Sequence, residues 1–358
     1  MYASGRTRVD GRNEAGSALP LLSRPDGLHT GTMRFAWTAL GLGTLLLVTA
    51  ACGSEESPST SGGGGAGGQG GEAAAPVLDP TLFDCSRTQE PERVTPVPVA
   101  CIGDPTCSTP LVVGHRGAGG QLGVIAPENT LAAVRAAIAL GIEFIETDPR
   151  ETSDGHLVNH HDPDLDRTTD GTGPVDQKTL AEVQALGVDA SRFAGDFSCE
   201  RVPTIEEVLL AAKGKVHVLL DANKTSRVDL LVAAVHATDT LEWAIFDTDD
   251  VGKLDEALAL EPAMMLMTRV SDAAELDDET VHFAAHPPVI VEINDTGVPA
   301  ELAPLILAKG LRPMTDVFGI DVVAALDDDP SHYGGTFDTG VLVVQSDRPD
   351  LVLRHLHR

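Results

Sequence analysis

Leu111-Val112-Val113-Gly114-His115-Arg116-Gly117 and, thirty residues on, Ile142-Glu143-Phe144-Ile145-Glu146-Thr147-Asp148 are built alike, each an apolar run that ends in charged side chains. Side chains alternate across a strand, so Val113 and His115 share one face of the first segment, while Ile142, Phe144, Glu146 and Asp148 share one face of the second. Val216 to Asn223 repeats the pattern, with Leu219 beneath Asp221. A further segment, Leu157-Val158-Asn159-His160-His161-Asp162, adds a second histidine site. Several strands that carry apolar filling below and polar groups at their C-terminal ends point to a parallel α/β barrel, whose sites lie at that end.

Outward from these segments, strand-like runs at 216–220, 243–246, 263–267, 289–293, 311–314 and 341–344 alternate with helical patterns. The helical patterns fall at 129–140, 204–212, 227–237, 251–260, 300–308, 322–326 and 351–356. Such alternation predicts a parallel sheet with crossover helices. With 111–114, 144–147 and 157–160 the strand-like runs exceed the eight of a closed barrel by one. Asp154-Gly155 joins two of them too tightly for a parallel crossover, which needs a dozen or more residues. The run at 156–161 therefore folds back as a hairpin over the mouth. The predicted fold is a single (β/α)8 TIM barrel over residues 111–358, about 250 residues and the usual size, with an open doubly wound sheet as the alternative.

The flanks read differently. Met33-Arg34 precedes an uncharged run that contains Leu45-Leu46-Leu47-Val48 and ends in Thr49-Ala50-Ala51-Cys52, the plan of a secretory signal. The competing reading is a retained membrane span. Residues 1–52 are thus expected to be an N-terminal extension and signal peptide. Residues 53–80 form a Gly/Ser-rich linker that cannot bury enough apolar surface to order itself. Residues 81–110 form a lead-in holding three of the four remaining cysteines. Cys85, Cys101, Cys107 and Cys199 allow three pairings as two disulfides, and spacing does not choose among them. The formal charge of −29, from 54 acidic and 25 basic residues, argues against nucleic acid as a partner. No Walker lysine-serine pair follows Gly117-Ala118-Gly119-Gly120, which reads instead as mobile backbone near a phosphate.

His115-Arg116-Gly117, then Pro127-Glu128-Asn129-Thr130, Glu146-Thr147-Asp148 and His160-His161-Asp162 with Asp166-Arg167-Thr168-Thr169 stand in an order that resembles the glycerophosphodiester phosphodiesterase family. Ser346-Asp347-Arg348-Pro349 resembles the family's last-strand ending. The likeness is dense from Val112 to about Gly173 and thin beyond. It implies hydrolysis of glycerophosphodiesters to glycerol 3-phosphate and an alcohol, with His115 and His161 as catalytic acid and base. It also implies phosphate or substrate contact by Arg116 and Glu128, and one divalent cation, Ca²⁺ or Mg²⁺, on Glu146, Asp148 and Asp221. Those hard oxygen ligands suit either ion, and a guanidinium fork suits phosphate. His160, on the other strand face, is expected to be structural, as are Asp162, Arg167, Thr168 and Thr169 around the His161 loop. Two positions depart from the family: Asp221 with Asn223 and Lys224 where it usually has Glu and a lysine two residues on, and Met314-Thr315 where it usually has Trp-Thr. The rival reading is a phospholipase D-like or sphingomyelinase D-like enzyme acting on intact lipids, and a non-catalytic phosphate-binding lipoprotein is another. Cys52 resembles the acylated cysteine of a bacterial lipoprotein, which implies an exported, lipid-anchored enzyme at the cell envelope.

Overall fold

The computed structural model describes residues 78–93, 100–103, 106–294 and 296–358. The signal segment, Cys52 and most of the linker lie outside the described residues. Among the described residues no helix is long and apolar enough to cross a membrane.

Eight parallel strands close into a barrel. They are β1 (Leu111–Gly114), β2 (Phe144–Thr147), β5 (His217–Asp221), β6 (Ala244–Asp247), β7 (Met265–Val270), β8 (Ile290–Ile293), β9 (Pro313–Asp316) and β10 (Val343–Ser346). The order around the barrel is β1-β10-β9-β8-β7-β6-β5-β2. Closure comes from β1 pairing with β10, Val113 opposite Gln345, and with β2, Val113 opposite Phe144. The two short strands β3 (Pro149–Glu151) and β4 (Leu157–Asn159) form the antiparallel hairpin that the Asp154-Gly155 turn predicts.

Alternation divides the apolar residues into two cores. Leu111, Val113, Phe144, Leu219, Ile245, Met267, Ile290, Met314 and Val343 fill the barrel interior, whereas Val112, Ile145, Val218, Leu220, Phe246 and Val344 face the surrounding helices. The helices start where capping chemistry permits. Thr130 accepts from Ala133 N ahead of Leu131–Leu140, and Thr204 forms a reciprocal box with Glu207 ahead of Ile205–Ala212.

The lead-in is bound at both ends of the barrel. Cys101 and Ile102 join the interior cluster, and Arg312 donates to both of their carbonyls. The disulfides are Cys85–Cys199 and Cys101–Cys107. The first fixes residues 78–90 against the loop before the helix Ile205–Ala212, where Phe83 packs on Phe197.

Candidate active site

The turn after β1 sets the first half of the site. Arg116 adopts φ 53° and Asn129 φ 57°, left-handed values that are uncommon for residues other than glycine. Arg116 turns its N–H onto Glu146 Oε2 at 3.0 Å, and its carbonyl accepts from Asn129 N at 2.9 Å. The two motif segments His115-Arg116-Gly117 and Pro127-Glu128-Asn129-Thr130 are thereby locked together. Gly117 has φ 101°, and a Cβ on it would meet the Ala133 Cβ at 2.7 Å, so the helix seats against this turn only if the side chain is absent.

Of the residues singled out by sequence, His115, Arg116, Glu128, Glu146, Asp148, His161 and Asp221 come together at this mouth. Glu146, Asp148 and Asp221 each offer an oxygen, and the three oxygens lie within 4.8 Å of one another. Burial pushes the Glu146 carboxyl well above its ordinary range, and Asp148 and Asp221 add to the rise. Asn129 Nδ2 donates to Asp148 Oδ2 at 2.9 Å, and Asn159 Oδ1 accepts from Asp148 N at 2.8 Å. Lys224 lies 3.9 Å from Asp148 and 3.6 Å from Asp221, so the displaced lysine still arrives. These residues fit a divalent cation: three buried carboxylates with more negative charge than their cations offset, and oxygen donors only.

The two histidines border that cluster from opposite sides of the sequence. His115 Nδ1 is 2.6 Å from Asp347 Oδ1, and its Nε2 is 3.9 Å from Glu146 Oε2. The Phe318 ring covers it with centroids 4.5 Å apart. His161 Nδ1 is 2.7 Å from Asp162 Oδ1, and Arg167 in turn donates to Asp162. Burial holds the His161 imidazole below its ordinary range, although Asp148 and Asp162 favour its charged form. His160 Nδ1 donates to the Asp162 carbonyl and its Nε2 pairs with Thr168 Oγ1, a structural residue as expected.

Arg116 is buried, and its Nη1 donates to Glu128 Oε1 at 2.6 Å. Its Nε has no hydrogen-bond partner and stands 3.7 Å from Asp148. Glu128 bridges Arg116 and Arg167, accepting from Arg167 at 2.7 and 2.9 Å. Burial alone would raise the Glu128 carboxyl, but the two guanidinium groups bring it below its ordinary range. Glu128 thus holds the arginine.

One expectation is corrected. The run Gly117–Gly120, read as mobile, is pinned: Asp347 accepts from Gly120 N at 2.8 Å and Leu122 N at 3.0 Å, while Arg192 donates to the Gly120 and Gln121 carbonyls. Hydrogen bonds from residues distant in sequence immobilise it, which no local glycine pattern reveals. Asp347 was legible only as part of a motif, and its role as the carboxylate behind His115 was not. Asp247, Arg269 and Glu292 were missed altogether. Arg269 donates to Asp247 at 2.7 and 3.0 Å and lies 3.5 Å from Asp221 and 3.4 Å from Glu292. Burial raises Asp247 to about 6, against the pull of Arg269. Burial likewise holds Glu292 well above its ordinary range; Arg269 opposes this, and Asp316 adds to it. The alternation that marked Asp148 would have marked Asp247, two residues beyond the inward Ile245.

The Caldanaerobacter subterraneus glycerophosphodiester phosphodiesterase is 45% identical over 98 residues, 27% of this chain and 38% of that protein. The human glycerophosphodiester phosphodiesterase 1 is 37% identical over 131 residues, 36% of each chain. The chain thus spans well under half the length of these curated relatives. Among solved structures, a glycerophosphodiester phosphodiesterase from Agrobacterium tumefaciens aligns with TM-score 0.54 and 27% identity over 68% of this chain and 99% of that one. An Oleispira antarctica phosphodiesterase, solved with the product sn-glycerol-3-phosphate, shares the fold with TM-score 0.58 and 23% identity over 71% of this chain and 100% of that one. The model of the glycerophosphoryl diester phosphodiesterase family matches residues 115–311, more than half of the 358 residues, and the chain belongs to that family.

Proposed function

We propose that the chain is a divalent-cation-dependent phosphodiesterase that hydrolyses a glycerophosphodiester to glycerol 3-phosphate and an alcohol. The observation that carries this reading is the pairing of two imidazoles, each with Nδ1 on a carboxylate, around three mutually close buried carboxylates. A carboxylate at Nδ1 fixes the ring and leaves Nε2 for proton transfer.

Glu146, Asp148 and Asp221 would hold one ion, Ca²⁺ or Mg²⁺. A bound cation supplies charge stabilisation for the phosphoryl group and helps orient it. Arg116, aimed by Glu128, places its unpartnered Nε beside Asp148, where a phosphate oxygen can accept from it. His115 and His161 divide the proton work: one takes the proton of the attacking hydroxyl or water, and the other gives a proton to the departing alcohol oxygen as its bond to phosphorus breaks. Asp347 and Asp162 keep those rings oriented. The product found in the Oleispira antarctica structure supports glycerol 3-phosphate as the shared product. Export, acylation of Cys52 and an envelope location rest on the sequence alone and belong to this proposal.

The test is release of glycerol 3-phosphate from glycerophosphocholine and glycerophosphoethanolamine, with and without chelator, beside His161→Ala and Glu146→Ala. Turnover that requires a divalent ion and collapses in both variants is the expected result. A folded, ion-supplied protein with no turnover of either diester refutes the reading and directs the search to intact lipids. Loss of lipid labelling in Cys52→Ala tests the anchor.

A further inference from the structure

The wall of the mouth formed by β7 to β10 carries groups that the hydrolysis above does not use. Arg269 is the cation shared by Asp221, Asp247 and Glu292, and its two donated bonds both go to Asp247. Next to it, Gln345 Nε2 donates to Asp316 Oδ1 at 2.9 Å. That bond fixes the amide orientation, because the flipped amide would set its oxygen against a carboxylate. The other end, Gln345 Oε1, is buried and accepts no hydrogen bond; Glu292 Oε2 accepts none either, but it stands 3.4 Å from Arg269 Nε. Gln345 is 7% exposed and Glu292 4%. Buried acceptors without donors are rare and costly. Both residues face the barrel interior, Gln345 following the inward Val343 at a two-residue spacing.

The place is next to the reacting groups. Gln345 is in register with Val113, two residues before His115, and Asp316 is in register with Gln345. Arg269, Asp316 and Phe318 are partly exposed, so the wall opens to the mouth. Phe318 spends one ring face on His115, and Met314, where an aromatic is usual in the family, is buried filling. An aromatic cage of the kind that suits a quaternary ammonium is therefore not built at these two positions.

We propose that Glu292, Asp316 and Gln345 form the alcohol subsite and select a leaving group that ends in a primary ammonium over one that ends in a quaternary ammonium. The proposal rests on the phosphodiesterase reading and names its substrate class. A primary ammonium brings three N–H donors and a positive charge, matching the unpaired Gln345 Oε1 and the neighbouring Asp316 and Glu292 side chains. A trimethylammonium brings the charge without donors and leaves Gln345 Oε1 unpaired, and a neutral polyol brings donors without the charge. Sites that hydrogen-bond their substrate discriminate strongly against analogues that lack the donor.

Binding separates this inference from the reaction itself. Glycerophosphoethanolamine, glycerophosphocholine and glycerophosphoglycerol are titrated calorimetrically into the Mg²⁺-loaded His161→Ala protein, while the unaltered protein is assayed for turnover of all three. The ethanolamine diester is expected to bind at least about tenfold tighter than the choline diester. Gln345→Leu and half-exposed Asp316→Asn, each added to that background, should reduce the ratio to about threefold or less. Equal binding, a preference for choline or the polyol, no binding at all, or a preference unchanged in both variants overturns the subsite. A preference that appears without turnover by the unaltered protein supports the subsite and refutes the hydrolysis. Turnover of all diesters with equal binding keeps the hydrolysis and refutes the subsite.

Discussion

Asp347→Asn isolates the carboxylate that orients His115. The native carboxylate accepts three hydrogen bonds, from His115 Nδ1 at 2.6 Å, Gly120 N at 2.8 Å and Leu122 N at 3.0 Å. Burial alone would raise this carboxyl, but the imidazole and the two backbone donors bring it below its ordinary range. Its own N–H is held by Asp321, which also accepts from Tyr333 and Ser346, so the position cannot drift. An asparagine has one acceptor oxygen. With that oxygen toward His115 and Gly120, its NH₂ opposes the Leu122 N–H; in the other orientation it opposes two donors. The first arrangement wins, and the ring keeps a neutral acceptor in place of a charged one. A hydrogen bond to a charged group is worth about 1.5–3 kcal/mol, and the lower half of that range applies when one acceptor survives. About 1.5–2 kcal/mol is roughly 10- to 30-fold in kcat, with KM within about twofold. Asp347→Ala removes all three acceptors and should cost kcat about 100-fold or more. Steady-state release of glycerol 3-phosphate, with thermal melts to verify folding, provides the assay. If both variants keep kcat within twofold, Asp347 does not position the imidazole.

Gly120→Ala should reproduce the Asp347→Asn defect without altering a polar group, because the new Cβ would lie 2.4 Å from Asp347 Oδ1 and 2.6 Å from His115 Nδ1; undiminished kcat would show that the pair tolerates displacement. Glu279 is buried with Oε2 unpartnered, and burial raises its carboxyl to about 7. The folded state then binds its proton more tightly than the unfolded one, so this stability is fully present below about pH 4.5 and is lost as pH rises through 7. Glu279→Gln should stabilise the protein by roughly 1–2 kcal/mol at pH 8 and by little at pH 4.5 in denaturant titrations; an equal gain at both would remove the ionisation argument. Replacing Cys85 and Cys199 by serine opens a link across 114 positions and should lower stability by about 2–4 kcal/mol, read as a Tm fall of roughly 5–10 °C. An unchanged melt would place the lead-in outside the cooperative unit.

The barrel was legible because each inward-facing strand residue announces itself by alternation, and the hairpin because Asp154-Gly155 leaves no room for a crossover. Boundaries slipped where apolar residues and ladder residues part company. The sequence suggests strands at 311–314 and 341–344, but the ladders run Pro313–Asp316 and Val343–Ser346, since Leu311 and Val341 pack before the strand begins. The run at 263–267 extends to Val270 because Arg269, a charge that reads as a strand end, is instead an inward member of β7 paired to Asp247. The helix Ala273–His282 escaped notice because it is mostly polar, with Leu276 its one buried aliphatic contact; its signal was Asp272, which caps Ala274 and Glu275. Disulfide pairing was open for the same reason as the role of Asp347: partners 114 and 232 positions apart leave no local trace.

The lead-in and the catalytic mouth are one physical object, although a barrel drawn from alternation starts only at Leu111. Asp84 accepts from Asp196 N and Cys85 N donates to the Asp196 carbonyl, so the segment at 84–85 is zipped to the loop at 196–199 as well as stapled to it. That same loop region carries Arg192, whose guanidinium lies over Phe193 and donates to the Gly120 and Gln121 carbonyls. Gly120 N is in turn held by Asp347, the partner of His115. The chain itself carries the path from Asp196 back to Arg192, and hydrogen bonds carry it from Arg192 through Gly120 and Asp347 to the imidazole. Tying the glycine-rich turn from both sides removes the freedom its composition would otherwise give it. Physically, the glycines at 117, 119 and 120 answer to close packing against Ala133, Asp347 and His115 more than to flexibility.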